Sequence, residues 1–346
     1  MVGAPGRNGV FAEAHDSSEW VGNNGEMGAV YAFHKQNMSW VEWQRLQAPD
    51  RNASDAFGSA LALTDSLLVV GAPGRQNGQG AAYCFRLLPT GQWQYESPLT
   101  QSGNSFGASL AMDGNTLAVA SPEGSGEVNI YVRNGLQWIL VDQLDPLSSS
   151  PQRAFGFSLD LNNDTLCIGA PGLNDEGRLF IYANGPGGWS LLQELSAPDA
   201  TTGQGFGHSV MRLGDQIIVG EPNHGSAYVF WNNGTNWIPF TTLRSGIAND
   251  FFGASLAGDV LAGNLYIGAE GADNEAGKVY GFQRNNVGIW SETHVLTESN
   301  PEPGERFGHV LQNRDGEIFI GAPLRSTQAD RPNKTTGGAI HIEQAF

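Results

Sequence analysis

FGASLAMDGNTLAVASP, residues 106–122, sets the reading of the whole chain. Phe106-Gly107 opens a short, partly alternating stretch, Asp113-Gly114-Asn115 turns the chain back, and an almost wholly apolar run ends at Ala120-Ser121-Pro122. A glycine beside polar turn residues favours a tight hairpin between two β-forming runs. Proline has no N–H for a ladder and ends a strand. The segment therefore reads as two short antiparallel strands and a rigid exit.

The same unit recurs along the chain. Phe-Gly pairs stand at Phe57-Gly58, Phe106-Gly107, Phe155-Gly156, Phe206-Gly207, Phe252-Gly253 and Phe307-Gly308, spaced 46 to 55 residues apart. A fixed period in that range marks an array of similar supersecondary units. Each pair is followed by an apolar run ending in Gly-Ala-Pro or a variant: Gly71-Ala72-Pro73, Ala120-Ser121-Pro122, Gly169-Ala170-Pro171, Gly220-Glu221-Pro222, Gly268-Ala269-Glu270 and Gly321-Ala322-Pro323, with a further copy at Gly3-Ala4-Pro5. A third run, such as Ala29–Phe33, Val128–Val132 or Ala227–Phe230, is β-branched and aromatic. A fourth starts at a tryptophan and ends at a leucine, as in Trp138 to Leu144 and Trp237 to Leu243.

Four short strands per unit, here A to D, with no helical period between them, must pair antiparallel through hairpins. A small sheet with two apolar faces is satisfied only by packing against copies of itself, and a closed ring does this without leaving array ends. The expected fold is all-β: a seven-bladed β-propeller with four-stranded antiparallel blades, one domain over residues 1–346. A jelly roll or two-sheet sandwich is the alternative, but it gives no reason for six similar units. The first unit lacks strand A and the last lacks strand D, so 26 strands are expected where seven full blades need 28. Either the termini complement one another or terminal strands are trimmed. The repeated phenylalanines are expected to be structural, in equivalent buried positions.

The Phe-Gly and Gly-Ala-Pro elements, in register with the tryptophan-led fourth strand, resemble the FG-GAP repeat of integrin alpha-subunit propellers and of many extracellular surface proteins. The resemblance covers nearly the whole chain. It implies a seven-bladed ring whose innermost strand follows Phe-Gly, serving adhesion or ligand binding. Integrin-like copies often carry an acidic calcium loop between strands A and B. The equivalents here, among them Thr64-Asp65-Ser66 and Asn162-Asn163-Asp164, offer one or two carboxylates, against the six to eight oxygens calcium prefers. No metal and no cofactor is therefore expected.

Composition narrows the function classes. Asp and Glu outnumber Lys and Arg by 35 to 18, the net charge is -17, and no basic run is present, which argues against nucleic acid. No apolar run approaches the length of a membrane helix. Cys84 and Cys167 lie in apolar runs of different units and read as small buried hydrophobes. Five Asn-x-Ser/Thr triplets, at Asn37, Asn52, Asn163, Asn233 and Asn333, would permit glycosylation. Secretion or surface display is the expected localisation.

None of the usual nucleophile-elbow, zinc-helix, phosphate-loop or dinucleotide motifs occurs. Two candidate sites remain. The preferred one is a rim built by the long B–C connections of the first and last units, residues 6 to 28 and 324 to 338, with Trp20, Asp16 and Glu19 from one and Arg325 and Arg331 from the other. An aromatic platform beside arginine forks suits a glycan or a protein ligand; the same loops could equally seal the seam between the chain ends. The alternative is an axial site at His208 and His309, which share the slot just after Phe-Gly in units two positions apart. Filling a channel mouth is the competing explanation for these two histidines. The expected function is a non-catalytic extracellular or cell-surface binding propeller, for adhesion or carbohydrate recognition. A polysaccharide lyase or hydrolase and an architectural domain of a larger surface protein are the alternatives.

Overall fold

A computed structural model describes residues 2–3, 8–13, 28–37, 39–52, 54–101, 103–124, 126–146, 154–172, 176–200, 202–314, 316–323 and 339–344, with only the backbone of 2–3, 8–13 and 339. It is an all-β propeller fold of small antiparallel sheets. The first sheet is β1 (Val2–Gly3), β2 (Asn8–Glu13), β3 (Ala29–Gln36) and β4 (Ser39–Leu46); the second is β5 (Leu61–Leu63), β6 (Leu67–Ala72), β7 (Ala81–Leu87) and β8 (Trp93–Leu99). Next come β9 (Ser109–Asp113), β10 (Thr116–Ser121), β11 (Glu127–Asn134) and β12 (Gln137–Leu144), then β13 (Ser158–Asn162), β14 (Thr165–Ala170), β15 (Arg178–Gly185) and β16 (Gly188–Leu195). The fifth and sixth sheets are β17 (Ser209–Leu213), β18 (Gln216–Glu221), β19 (Ser226–Asn232), β20 (Trp237–Arg244), and β21 (Phe252–Asp259), β22 (Asn264–Ala269), β23 (Lys278–Arg284), β24 (Trp290–Leu296). Only β25 (Val310–Arg314), β26 (Glu317–Ala322) and β27 (Ala339–Gln344) follow, a sheet of three.

The expectation of seven four-stranded blades is thereby corrected. Six sheets are complete four-stranded blades, and the last has three strands among the described residues. The strand count is also revised, because β2 forms inside the stretch read as a long first loop. It pairs with both Val2–Gly3 and β3, so residues 6 to 28 are not one insertion.

By its contacts the chain forms two compact units. One comprises Met1–Leu166 with Ala183–Ser190, the other Cys167–Tyr182 with Leu191–Phe346. In the first unit, Phe57, Tyr83 and Phe85 form one aromatic nucleus with Trp93, and Phe106 packs with Leu117, Val119 and Tyr131 in a second. In the second unit, Phe206, Tyr228 and Phe230 with Trp237, and Phe252, Tyr280 and Phe282 with Trp290, repeat the arrangement.

The local chemistry of the repeat accounts for these elements. Strands β6, β18 and β22 are buried along their whole length, as apolar runs covered on both faces must be. Among the fourth strands, β16 alternates and exposes every second residue. Every second strand β6, β10, β14, β18, β22 and β26 stops at the residue before the repeated Pro, or before Glu270 in its place. The six repeated phenylalanines occupy equivalent interior positions, five with no exposure and Phe307 with 2 %. Their rings meet the third-strand aromatics edge to face, as in Phe57–Tyr83 at 5.5 Å and Phe252–Tyr280 at 5.3 Å between centroids.

A second repeated contact joins successive sheets. Gly80, Gly126, Gly177 and Gly277 each form a parallel bridge to the next sheet's Phe106, Phe155, Phe206 and Phe307. At Gly80 φ is +84°, and a Cβ would lie 2.2 Å from the Phe106 carbonyl oxygen, so only glycine fits. A third is a β-bulge between third and fourth strands, seen at Ala32/Phe33, Cys84/Phe85, Ile130/Tyr131, Val229/Phe230 and Gly281/Phe282. Cys84 and Cys167 are buried, and burial pushes the Cys84 thiol up to about 12.

Candidate active site

The repeat itself places a tyrosine–carboxylate contact at the end of several sheets. Tyr83 donates to Asp50 at 2.6 Å, with Arg75 on the other Asp50 oxygen at 2.6 Å. Tyr228 donates to Asp199 at 2.6 Å, with Arg244 at 2.9 Å. In the three-stranded sheet His341 takes the tyrosine position and meets Glu298 at 2.7 Å. A contact repeated with such interchangeable partners is structural: it ties the connection leaving one sheet to the third strand of the next.

Two positions depart from the repeat, and both bring a carboxylate to a histidine. At the end of β22 the repeated proline is replaced by Glu270, and Glu270 Oε2 lies 2.5 Å from His309 Nδ1. His309 opens the next sheet two residues after Phe307, and its backbone N–H is fixed on the Arg306 carbonyl. Burial pushes Glu270 up, but the hydrogen bond and charge of His309, with Arg306 and His208, outweigh it and hold the carboxyl below its ordinary value. Burial also pulls His208 down; the Glu270 charge opposes this and His309 adds to it. At neutral pH an ionised Glu270 therefore sits against His309, whose side chain is 44 % exposed, with a neutral, half-buried His208 close enough for its charge to be felt.

Chemically this is a carboxylate–imidazole dyad. A carboxylate accepting from Nδ1–H fixes the tautomer and leaves Nε2 as the basic nitrogen. The geometry equips His309 to take a proton from water and return it to a leaving oxygen.

The other departure, Glu221 in place of the alanine or serine found elsewhere, lies 1 % exposed at the end of β18 and contacts His224 Nδ1 and Tyr228 Oη, each at 2.9 Å. An open cleft of about 800 Å³ near Asp215, Trp231, Leu261 and Arg284 carries no such pair. Its polar groups are spent on one another: Gln216 accepts from Trp290 and donates to Gly288, and Arg284 meets Asp215 at 2.8 Å. Among the described residues no three histidine, cysteine or acidic side chains converge to hold a metal ion, and no helix is long and apolar enough to cross a membrane.

Of the residues read from the sequence, His208 and His309 are brought into one electrostatic cluster. Trp20, Asp16, Glu19, Arg325 and Arg331 lie outside the described residues. The reading missed Glu270, the partner of His309, although its signal was visible: Gly268-Ala269-Glu270 is the copy in which an acid displaces the repeated proline.

A family model described as FG-GAP repeat matches residues 40–85 and 189–230. A comparison with curated protein sequences finds no match. Similarity over the full length appears among solved structures. A periplasmic gluconolactonase of Pseudomonas aeruginosa is 17 % identical, with a TM-score of 0.63 over 96 % of this chain and 98 % of that one. A candidate 6-phosphogluconolactonase from Bacteroides uniformis is 10 % identical, with a TM-score of 0.67 over 97 % and 99 %. A Lactobacillus plantarum protein is 11 % identical, with a TM-score of 0.67 over 99 % and 100 %.

These likenesses fix the fold and revise the resemblance. The FG-GAP match covers two segments rather than nearly the whole chain, and the whole-chain similarity runs to gluconolactonase-type propellers, not to the seven-bladed integrin-alpha ring. The expected non-catalytic adhesion or carbohydrate-binding role, and the reading against an enzyme, are set aside with it.

Proposed function

We propose that this protein is a hydrolase of small lactones, with His309 as the general base and Glu270 as the carboxylate that orients it. The observation that carries the reading is the Glu270–His309 contact of 2.5 Å, built where the repeat otherwise places proline. Two of the three full-length structural likenesses described above, a gluconolactonase and a candidate 6-phosphogluconolactonase, support the same reaction class. In it, Nε2 of His309 removes a proton from water as the oxygen adds to the ring carbonyl. The resulting imidazolium is stabilised by Glu270, and its proton passes to the ring oxygen as the C–O bond breaks. Atoms balance as one water consumed and one hydroxy acid formed.

The test is hydrolysis of glucono-1,5-lactone followed by pH-stat above the spontaneous rate. His309→Ala should lower kcat/KM by about 10²–10⁴-fold, the range of a positioned acid–base group. Glu270→Gln should act in the same direction through kcat. A wild-type rate no faster than the spontaneous reaction, or full activity in His309→Ala, would overturn the proposal.

A further inference from the structure

A proton count singles out the second departure from the repeat. Four polar groups meet at the end of β18 and the 3-10 turn Pro222–His224 that follows it. Tyr228 Oη lies 2.6 Å from Asp199 Oδ1, 2.9 Å from Glu221 Oε2 and 3.0 Å from His224 Nδ1, while His224 Nδ1 is itself 2.9 Å from Glu221 Oε2. The hydroxyl has one proton to donate. The shortest contact assigns it to Asp199, whose other oxygen is held by Arg244 at 2.9 Å.

The Tyr228 oxygen can then only accept, so its contact with Glu221 Oε2 requires a proton on that carboxyl group. An ionised Glu221 would set oxygen lone pairs against each other across 2.9 Å, with the neighbouring His224 N–H shared between two acceptors. The burial is close to complete. Glu221 is 1 % exposed, and its second oxygen Oε1 is buried without a hydrogen-bond partner, an arrangement that an uncharged acid tolerates far better than a carboxylate.

The groups facing Glu221 from the surrounding elements add little to offset a negative charge. Asp199 enters from the connection after β16, Tyr228 from β19 and His224 from the turn itself. Arg244 from β20 is engaged with Asp199 and with Ser226 Oγ. Asp250, 1 % exposed before β21, stands beside Gly225 at the end of the turn: its Oδ1 would lie 3.6 Å from a Cβ there. Two acids and one engaged arginine thus surround the site, beside the His224 ring.

We infer that Glu221, Tyr228 and His224 form a proton-operated latch on the turn Pro222–Gly225, closed while Glu221 carries its proton and loosened when it ionises. The direction of titration agrees. Burial, with the Asp199 charge, raises Glu221 against the lowering by Tyr228 and His224. A group raised in the closed state favours closure fully below its ordinary value, and that favour is lost as pH rises through the raised one. One linked proton makes the opening constant grow about tenfold per pH unit between those two values and level off above. The latch is independent of the dyad at Glu270, which is held in the opposite direction.

Amide hydrogen exchange of the full chain between pH 4 and 8, corrected for the intrinsic rate, tests this. The Gly225 and Ser226 amides should show the rise and plateau in the wild type and a flat profile in Glu221→Gln, which keeps a neutral donor in place. The hairpin amides at Asn115 should stay flat in both. Identical wild-type and Glu221→Gln profiles would overturn the latch. Carbon-13 titration of the wild-type Glu221 carboxyl decides the matter without a variant: a midpoint above the ordinary glutamate value is expected, and one at or below it refutes the inference.

Discussion

The ends of the β5–β8 and β17–β20 sheets start from one design and finish as different chemistry. In each, a phenylalanine after the repeat boundary packs on a third-strand tyrosine, Phe57 edge to face on Tyr83 and Phe206 tilted on Tyr228, and the tyrosine hydroxyl donates to an aspartate that follows Ala-Pro. Around Asp50 the remaining partner is Arg75, and the contact closes as an ion pair with every charge matched. Around Asp199 the same hydroxyl is also shared with a buried glutamate and a histidine. The lesson is that the repeat supplies the scaffold of a polar site ready-made, and one further substitution, alanine to Glu221, turns a clamp into a group that can titrate.

The shared part should be equal in cost. Phe57→Ala and Phe206→Ala are each expected to lose about 3–5 kcal/mol, since both rings are fully buried. Urea unfolding measures this, and markedly unequal losses would break the equivalence of the two sheets.

The hydroxyls should separate them. Tyr83→Phe leaves Asp50 on Arg75 and should cost about 1 kcal/mol, whereas Tyr228→Phe leaves Asp199 on Arg244 and Glu221 on His224 but takes a partner from both acids, one of them buried, and should cost about 2–3 kcal/mol. Equal losses near neutral pH would argue that Glu221 adds nothing to the clamp.

Acid should sharpen the contrast further. Burial raises Asp50 and Asp199, but the hydrogen bonds from Tyr83 and Arg75, and from Tyr228 with His224 and Arg244 nearby, outweigh it and lower both. Their stabilisation is present above the ordinary aspartate value and lost as pH falls through the lowered ones; that of Glu221 runs the other way. Melting temperature against pH from 3 to 7 should therefore fall toward acid less steeply in Asp50→Asn than in the wild type. In Glu221→Gln the fall toward acid should be steeper.

The smallest effect concerns the residue before the phenylalanine. That position is left-handed in both sheets, Ala56 at φ 55° and Gly205 at φ 82°. Alanine carries about 1–2 kcal/mol of strain there, partly offset by the greater unfolded-state freedom of glycine. Ala56→Gly should raise the midpoint by a degree or two, while Gly205→Ala lowers it. Calorimetry resolves both.

How far these features were legible follows from what repeats. Phe106, the Asp113–Asn115 turn and the strand stop at Ser121 were readable because a period makes each assignment six times over. The extra strand Asn8–Glu13 was not, because nothing in Asn-Gly-Val-Phe-Ala-Glu matches the other copies and only its partners on either side define it. His208 and His309 were legible as a shared slot. Glu270 and Glu221 stand in the sequence as variants of Gly-Ala-Pro, and their role is not legible there because spacing does not show that a strand end in one sheet faces a strand start in the next. In a repeat protein the informative residues are the exceptions to the period, and their meaning lies in contacts between neighbouring copies.

The parallel glycine–phenylalanine bridges carry one more consequence, for the order in which the molecule is assembled. Each joins residues only 26 to 30 positions apart, as in Gly80–Phe106 and Gly277–Phe307. Loop closure over so short a span costs little, and contacts of this kind favour fast, local folding. A chain leaving the ribosome can therefore dock each new sheet on its predecessor as soon as the next phenylalanine emerges, with no need to wait for the C-terminal half. Translation itself becomes the jig: the apolar second strands spend the least time uncovered, and a pause just upstream of a Phe-Gly pair is the point at which a nascent chain would be most exposed to aggregation.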